Sequence, residues 1–164
     1  MINKKVCLIG ASAVGKTSLV RQFVEGIFSD KYLTTIGVKI DKKMVNVNNT
    51  DVQFMVWDIE GTDKFCGFTP RFLNGAHAYI VVLDQSRPST VQDALEIYAQ
   101  AQTCSRVPAY LAINKSDLES QISTIQLQTL TEQGFTDVIY TSAKNHQAVE
   151  QLFSTIATKL INVN

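Results

Sequence analysis

Apolar residues along this chain fall into short runs separated by polar stretches, and the period inside each run identifies the element. Lys4 to Ile9 has the length and content of a strand, and Lys16 to Glu25 spaces its apolar side chains as a helix does. Gly26 to Gly37 shows little periodicity and reads as a polar connection long enough to be functional. Val38 to Val47 and Val52 to Asp58 are strand-like runs flanking Asn48-Asn49-Thr50, whose turn-prone residues predict an antiparallel hairpin. In the first run Lys39, Asp41 and Lys43 alternate with Val38 and Ile40, a pattern that suits a sheet edge. Ala78 to Leu83 and Ala109 to Ile113 are continuous apolar runs followed at once by polar loop formers, as buried parallel strands are. Ser89 to Thr103, Ser123 to Gln133 (stopped by Gly134) and Gln147 to Leu160 carry helical spacing, and Val138 to Thr141 is a last short strand. Strands alternating with helices predict an α/β protein, a doubly wound, six-stranded, mostly parallel sheet with helices on both faces. Such sheets bind ligands beyond the carboxyl ends of their strands.

Composition narrows the class. With 164 residues, 45% hydrophobic and 18% charged, the chain suits one domain spanning residues 1–164. Fifteen basic and fifteen acidic residues cancel, so no nucleic acid or anionic membrane is expected to be held by bulk charge. Cys7, Cys66 and Cys104 have neither disulfide nor metal-ligand spacing, which fits a reducing compartment. No run approaches the roughly 20 apolar residues of a membrane span. Ile2 stands where a myristoylation signal needs glycine, and Lys159 to Asn164 lacks an anchoring cysteine. A cytoplasmic monomer without an encoded membrane anchor is expected. His77 and His146 are isolated and receive no role.

The chemistry is concentrated at loop positions. Gly10-Ala11-Ser12-Ala13-Val14-Gly15-Lys16-Thr17 follows the first strand and opens the first helix, the context a G-x-x-x-x-G-K-[ST] phosphate loop requires. Amides from Ala13 through Ser18, with Val14, Gly15, Lys16 and Thr17 between them, would face phosphates at a helix N-terminus, where the macrodipole favours negative charge. Lys16 would neutralise β/γ charge and the Thr17 hydroxyl would ligate Mg²⁺. After the fifth strand, Asn114-Lys115-Ser116-Asp117 offers a carboxylate that can accept the N1–H and exocyclic amine of guanine, a donor pair adenine lacks.

Five motifs in order, Gly10 to Thr17, Tyr32-Leu33-Thr34-Thr35-Ile36-Gly37, Trp57-Asp58-Ile59-Glu60-Gly61, Asn114 to Asp117 and Thr141-Ser142-Ala143-Lys144, make the whole chain resemble a Ras-superfamily small GTPase, closest to the Rab branch. The resemblance implies the P-loop small GTPase fold and a switch that binds GTP or GDP with Mg²⁺ and slowly hydrolyses GTP. It implies that Asn114 braces the phosphate loop, that the Lys115 stem covers one face of the base, and that the Ala143 amide meets the guanine oxygen with support from Ser142 and Lys144. Phe28 stands where the family places an aromatic against the nucleotide, although a loop aromatic can equally be packing. Thr35 matches the threonine that completes the Mg²⁺ shell in the triphosphate state, Asp58 the carboxylate that reaches the metal through water, and Gly61 the amide on the γ-phosphate. Switch I (residues 26–37) and switch II (residues 59–73) would meet effectors, exchange factors and activators. In switch II, Phe65, Phe68 and Phe72 form an aromatic stretch with Cys66 and Pro70, by default packing and by hypothesis an effector contact.

Two positions depart from the family pattern. Thr62 replaces the glutamine that orients the attacking water, and its short side chain predicts very slow intrinsic hydrolysis. Glu60 precedes Gly61, and three roles fit it: a solvent-facing side chain, a bias toward the diphosphate state through Lys16 or Mg²⁺, or a substitute water-orienting group. Ser12 replaces a glycine of some relatives and is expected to be tolerated. The catalytic candidates are therefore Lys16, Thr35, Glu60, Gly61 and Thr62. A non-cycling, nucleotide-bound scaffold is the alternative, and a P-loop kinase fits least because no lid segment accompanies Asn114 and Asp117.

Overall fold

The computed structural model describes residues 1–29, 37–61 and 70–162. Its strands are β1 (Ile2–Ile9), β2 (Val38–Val47), β3 (Thr50–Ile59), β4 (Ala78–Asp84), β5 (Ala109–Asn114) and β6 (Asp137–Tyr140). Its helices are α1 (Lys16–Glu25), α2 (Ser89–Cys104), α3 (Thr124–Thr131) and α4 (His146–Ile161), with a 3₁₀ turn at Pro70–Leu73. The six strands form one sheet in the order β2-β3-β1-β4-β5-β6, with β2 antiparallel to β3 and every other pair parallel. This is the α/β architecture expected from the alternation of runs.

Period-two alternation in the central strands divides the core between the two faces. Val6, Leu8, Phe54, Val56, Ala78, Ile80 and Val82 pack against α1 and α4, while Cys7, Ile9, Tyr79, Val81 and Leu83 pack against α2. On the first face Phe23 of α1 and Phe153 of α4 stack with ring centroids 3.7 Å apart, and Phe54 of β3 meets both edge-on. Such aromatic contacts add about 0.5–1.5 kcal/mol each beyond area burial. Burial of Cys7 pushes its thiol up to about 12 against the pull of Lys5, so it serves as packing.

Every boundary falls within two residues of that expected, and the departures at the hairpin turn and at the end of α3 have local causes. The hairpin turn is only Asn48–Asn49, both with positive φ (51° and 63°), because Thr50 already pairs with Val47. Two central residues of that conformation make the tight turn that matches strand twist. Helix α3 ends at Thr131 rather than Gln133, because Gln133 N–H bonds back only three residues, to Leu130, and the last turn tightens.

Strand β2 is the edge, as its pattern suggests, yet its polar set lies on the covered side. Pairing with β3 sets Asp41 beside Val56 and Lys43 beside Phe54, facing α1 and α4, whereas Ile40 and Met44 are each 46% exposed. Val45 and Val47 supply the packing on the inner side, so the register follows them.

Candidate functional site

The carboxyl ends of β1, β3, β4 and β5 and the segment after β6 converge on one cleft, and the residues there organise the loop between β1 and α1. Five successive carbonyls of that loop accept hydrogen bonds from side chains. Lys16 Nζ donates to Gly10 O (3.0 Å) and Ala11 O (2.9 Å), Arg87 Nη2 to Ser12 O (2.9 Å), Lys115 Nζ to Ala13 O (3.1 Å) and Asn114 Nδ2 to Val14 O (2.8 Å). In a planar trans peptide the C=O of one residue and the N–H of the next point in opposite directions. The carbonyls of Ser12, Ala13 and Val14 are drawn toward the β4 and β5 loops, so the amides of Ala13, Val14 and Gly15 turn the other way. Those amides continue into the first turn of α1, at Lys16, Thr17 and Ser18.

Gly15 opens α1 in the left-handed region (φ 101°), and among the described residues no side chain caps it. Side chains cap α3 and α4 instead, through Ser123 and Asn145. A Cβ at Gly15 would overlap the Asn114 amide, so only glycine fits between the loop and its brace. A helix start lined by backbone amides suits an anion such as a phosphate.

Beside it, the Thr17 hydroxyl donates to Asp58 Oδ2 at 2.7 Å, and Asp58 is 1% exposed at the end of β3. Two hard oxygens side by side suit Mg²⁺, which takes few protein ligands and fills its shell from phosphates and water. Among the described residues no group of three or more His, Cys, Asp or Glu gathers as a richer cage would require.

Across the cleft, Ser142 Oγ donates to Asp117 Oδ1 at 2.8 Å, and Thr141 Oγ1 donates to Asn114 Oδ1 at 3.0 Å. Ala143 and Ser142 are buried, while Lys144 is exposed, with its ammonium 5.4 Å from the ring of Phe28. Phe28 is 38% exposed at the rim, beside the base-reading loop.

Glu60 is hydrogen-bonded to Gly37 just beyond β3. Its carboxylate accepts the Gly37 N–H at 3.2 Å and its own N–H donates to Gly37 O at 2.7 Å, a two-point clamp where the switch segments leave the sheet. Gly61 rests on the phosphate loop, its carbonyl accepting the Ser12 hydroxyl at 3.1 Å, and a Cβ there would come within 2.7 Å of Ser12 Cα. Thr35, Thr62, Phe65, Cys66 and Phe68 lie outside the described residues. Phe72 is half-buried, its ring centroid 6.4 Å from that of Trp57, which is packing rather than display.

Asp84 and Arg87 are absent from the motifs, yet they hold the loop. Asp84, 1% exposed, accepts from the Ser86 amide and hydroxyl (2.9 and 2.7 Å), from Arg87 Nε (3.0 Å) and from Lys115 Nζ (3.0 Å). Burial by itself would raise its pKa, but the hydrogen bonds from Ser86, Lys115 and Arg87 outweigh it and hold the carboxyl below its ordinary range. The available sequence signal was an aspartate ending a fully apolar strand in register with Asn114.

The fold and this cleft define a P-loop nucleotide-binding protein. Residues 5–162 match the model of the Ras family, and the chain belongs to that family. It is 34% identical to Ras-related protein Rab-1 of Theileria parva over 161 residues, covering 95% of this chain and 73% of that protein. It is 36% identical to Ras-related protein Rab-5A of Dictyostelium discoideum over 160 residues (95% and 80%), and 34% identical to Ras-related protein SEC4 of Saccharomyces cerevisiae over 160 residues (96% and 74%). The chain is therefore a Rab-like small GTPase of the Ras superfamily, a class of molecular switches that bind guanine nucleotide with Mg²⁺ and hydrolyse GTP.

Proposed function

We propose that residues 1–164 form one GTPase domain that holds GTP or GDP in the cleft described, hydrolyses GTP slowly and recruits effectors through residues 26–37 and 59–73, acting from the cytosol. The observation that carries this reading is the set of three carbonyls, of Ser12, Ala13 and Val14, held by Arg87, Lys115 and Asn114, which turns the amides of Ala13, Val14 and Gly15 the other way. Ala13 through Ser18 bind the phosphates, and Lys16 compensates their charge. Asp117, held by Ser142, reads the guanine edge together with the Ala143 amide, while the Lys115 stem and Phe28 flank the base and Lys144 closes the rim. Thr17, Asp58 and Thr35 hold Mg²⁺, which when bound would offset charge on the β- and γ-phosphate oxygens. Gly61 and Thr35 answer to the γ-phosphate.

Hydrolysis is the weak function of this site. Thr62 cannot place a water as a glutamine amide does, and the Glu60 carboxylate is engaged with the Gly37 amide rather than aimed at a reacting water. That engagement favours a structural role for Glu60 at the base of the switches, and it also favours the second reading, a nucleotide-bound scaffold that does not cycle. In Ras-type enzymes an activator's arginine adds roughly 10³–10⁵-fold, so turnover here depends on such a partner.

The two readings separate in one experiment: identify the nucleotide retained with Mg²⁺, then measure single-turnover GTP hydrolysis for the unmodified protein and for Thr62→Gln. The switch reading expects retained guanine nucleotide, rejection of adenine nucleotides and a faster rate in Thr62→Gln. A rate of zero in both proteins, with and without an arginine-supplying activator, selects the scaffold. Failure to retain any guanine nucleotide refutes both.

A further inference from the structure

Gln22 lies on the core side of α1, near Leu19 and Phe23, and is only 5% exposed. A buried amide is costly unless its hydrogen bonds are made. Its Nε2 donates to the Ala143 carbonyl at 2.6 Å, across 121 residues of sequence, and its Oε1 lies 3.1 Å from His146 Nδ1 at the start of α4. With Nε2 committed to a carbonyl, Oε1 can only accept, so the imidazole carries a hydrogen on Nδ1 in its neutral and charged forms alike. Glu150 flanks the other ring nitrogen at 3.5 Å.

The Ala143–Lys144 peptide is thereby held at both ends. Its oxygen is fixed by Gln22, and its N–H donates to Ser142 Oγ at 3.2 Å. That same hydroxyl donates to Asp117 Oδ1 at 2.8 Å. One continuous chain of hydrogen bonds thus runs from the base-reading carboxylate through the loop peptide to α1 and α4.

We propose that Gln22 and His146 are positioning residues for base recognition: by pinning the Ala143 carbonyl they hold Ala143 in place, and so keep its N–H, which belongs to the preceding Ser142–Ala143 peptide, aimed at the 6-oxygen of the purine. The inference rests on the guanine-nucleotide reading above and assigns that site a support that its binding motifs do not contain. Without that pin Ala143 can shift, its N–H shifts with it, and the cost falls on the 6-oxygen contact. The phosphate grip, held separately by Arg87, Lys115 and Asn114, is spared.

The test is the dissociation rate of three ribose-labelled nucleoside diphosphates with Mg²⁺. Guanine and hypoxanthine carry the 6-oxygen, and 2-aminopurine lacks it. Gln22→Met and His146→Leu each accelerate release of the guanine and hypoxanthine nucleotides roughly five- to ten-fold, the scale of one buried hydrogen bond. Release of the 2-aminopurine nucleotide changes less than about two-fold, and His146→Asn, whose amide can donate from the Nδ1 position, returns the rates to those of the unmodified protein. Equal acceleration of all three nucleotides, or of none, overturns the proposal. The His146 side chain is 55% exposed, so its variants fold and decide the matter even if Gln22→Met does not. An unmodified protein that retains none of the three fails at the nucleotide reading itself, and the positioning role falls with it.

Discussion

At the scale of single residues, Asp84 illustrates how a side chain with no contact to a ligand can govern a binding loop. It gathers Arg87 and Lys115, and these two cations hold the Ser12 and Ala13 carbonyls. Asp84 is buried but Arg87 and Lys115 are 42% and 34% exposed, so water screens the charges left behind and removing the carboxylate costs less than the roughly 3–5 kcal/mol of a fully buried pair. Asp84→Ala is therefore expected to unfold at lower urea and to weaken GDP binding by at least about ten-fold, both measurable on the purified protein. The pH dependence has a definite sign. The folded carboxyl ionises below its ordinary value of about 3.9, so its contribution is complete above that pH and is lost as pH falls through the lower, folded value. Urea midpoints measured from pH 6 to pH 3 should fall more steeply for the unmodified protein than for Asp84→Asn. Lys16, Thr17 and Asn114 were legible in the sequence because each belongs to a motif whose spacing is local. Arg87 and Gln22 were not, because their partners lie 75 and 121 residues away and only the fold brings them together. His146, read as isolated, has its partner on another helix.

At the scale of elements, helix starts differ in how they are closed: side chains cap α3 and α4, the N–H groups of Thr90 and Val91 bond to the Arg87 and Pro88 carbonyls at α2, and α1 is the start that the proposed reading leaves for a ligand. Ser123 accepts from Gln126 N–H while the Gln126 side chain returns to Ser123 N–H, a capping box that completes the start of α3. Ser123→Ala is expected to cost about 1 kcal/mol in denaturant unfolding and to leave nucleotide affinity unchanged. Gly15→Ala should do the reverse. Its new methyl meets the Asn114 amide in a backbone region hostile to side chains, and GDP titration should show at least about a ten-fold loss from a folded protein. The buried runs of β4 and β5 were legible because every residue in them is apolar up to the terminal Asp84 and Asn114. The facing of β2 was not, because period-two alternation names two sides without saying which is covered. The pairing of Val45 and Val47 with β3 decides that.

At the scale of the whole molecule, the sheet order, the division of the core and the clustering of polar residues beyond strand ends agree with the alternation of runs. Family membership adds what that alternation could not reach, the class of nucleotide and the use of Mg²⁺. Nucleotide and fold are thermodynamically coupled, since a ligand bound only by the native state stabilises it by about 4 kcal/mol at a thousand-fold excess over its dissociation constant. Thermal unfolding is expected to rise several degrees with GDP and Mg²⁺. A chelator should remove most of that gain, and adenosine diphosphate should not reproduce it.

The donors that shape the phosphate loop have one further consequence, for how the chain is made on the ribosome. The loop is complete in sequence by Thr17, but the groups that orient it arrive with Arg87, Asn114 and Lys115, and Asn114 is itself steadied by Thr141. A nascent polypeptide not yet extended through Arg87, Asn114, Lys115 and Thr141 lacks the groups that orient the loop, so nucleotide capture waits for them.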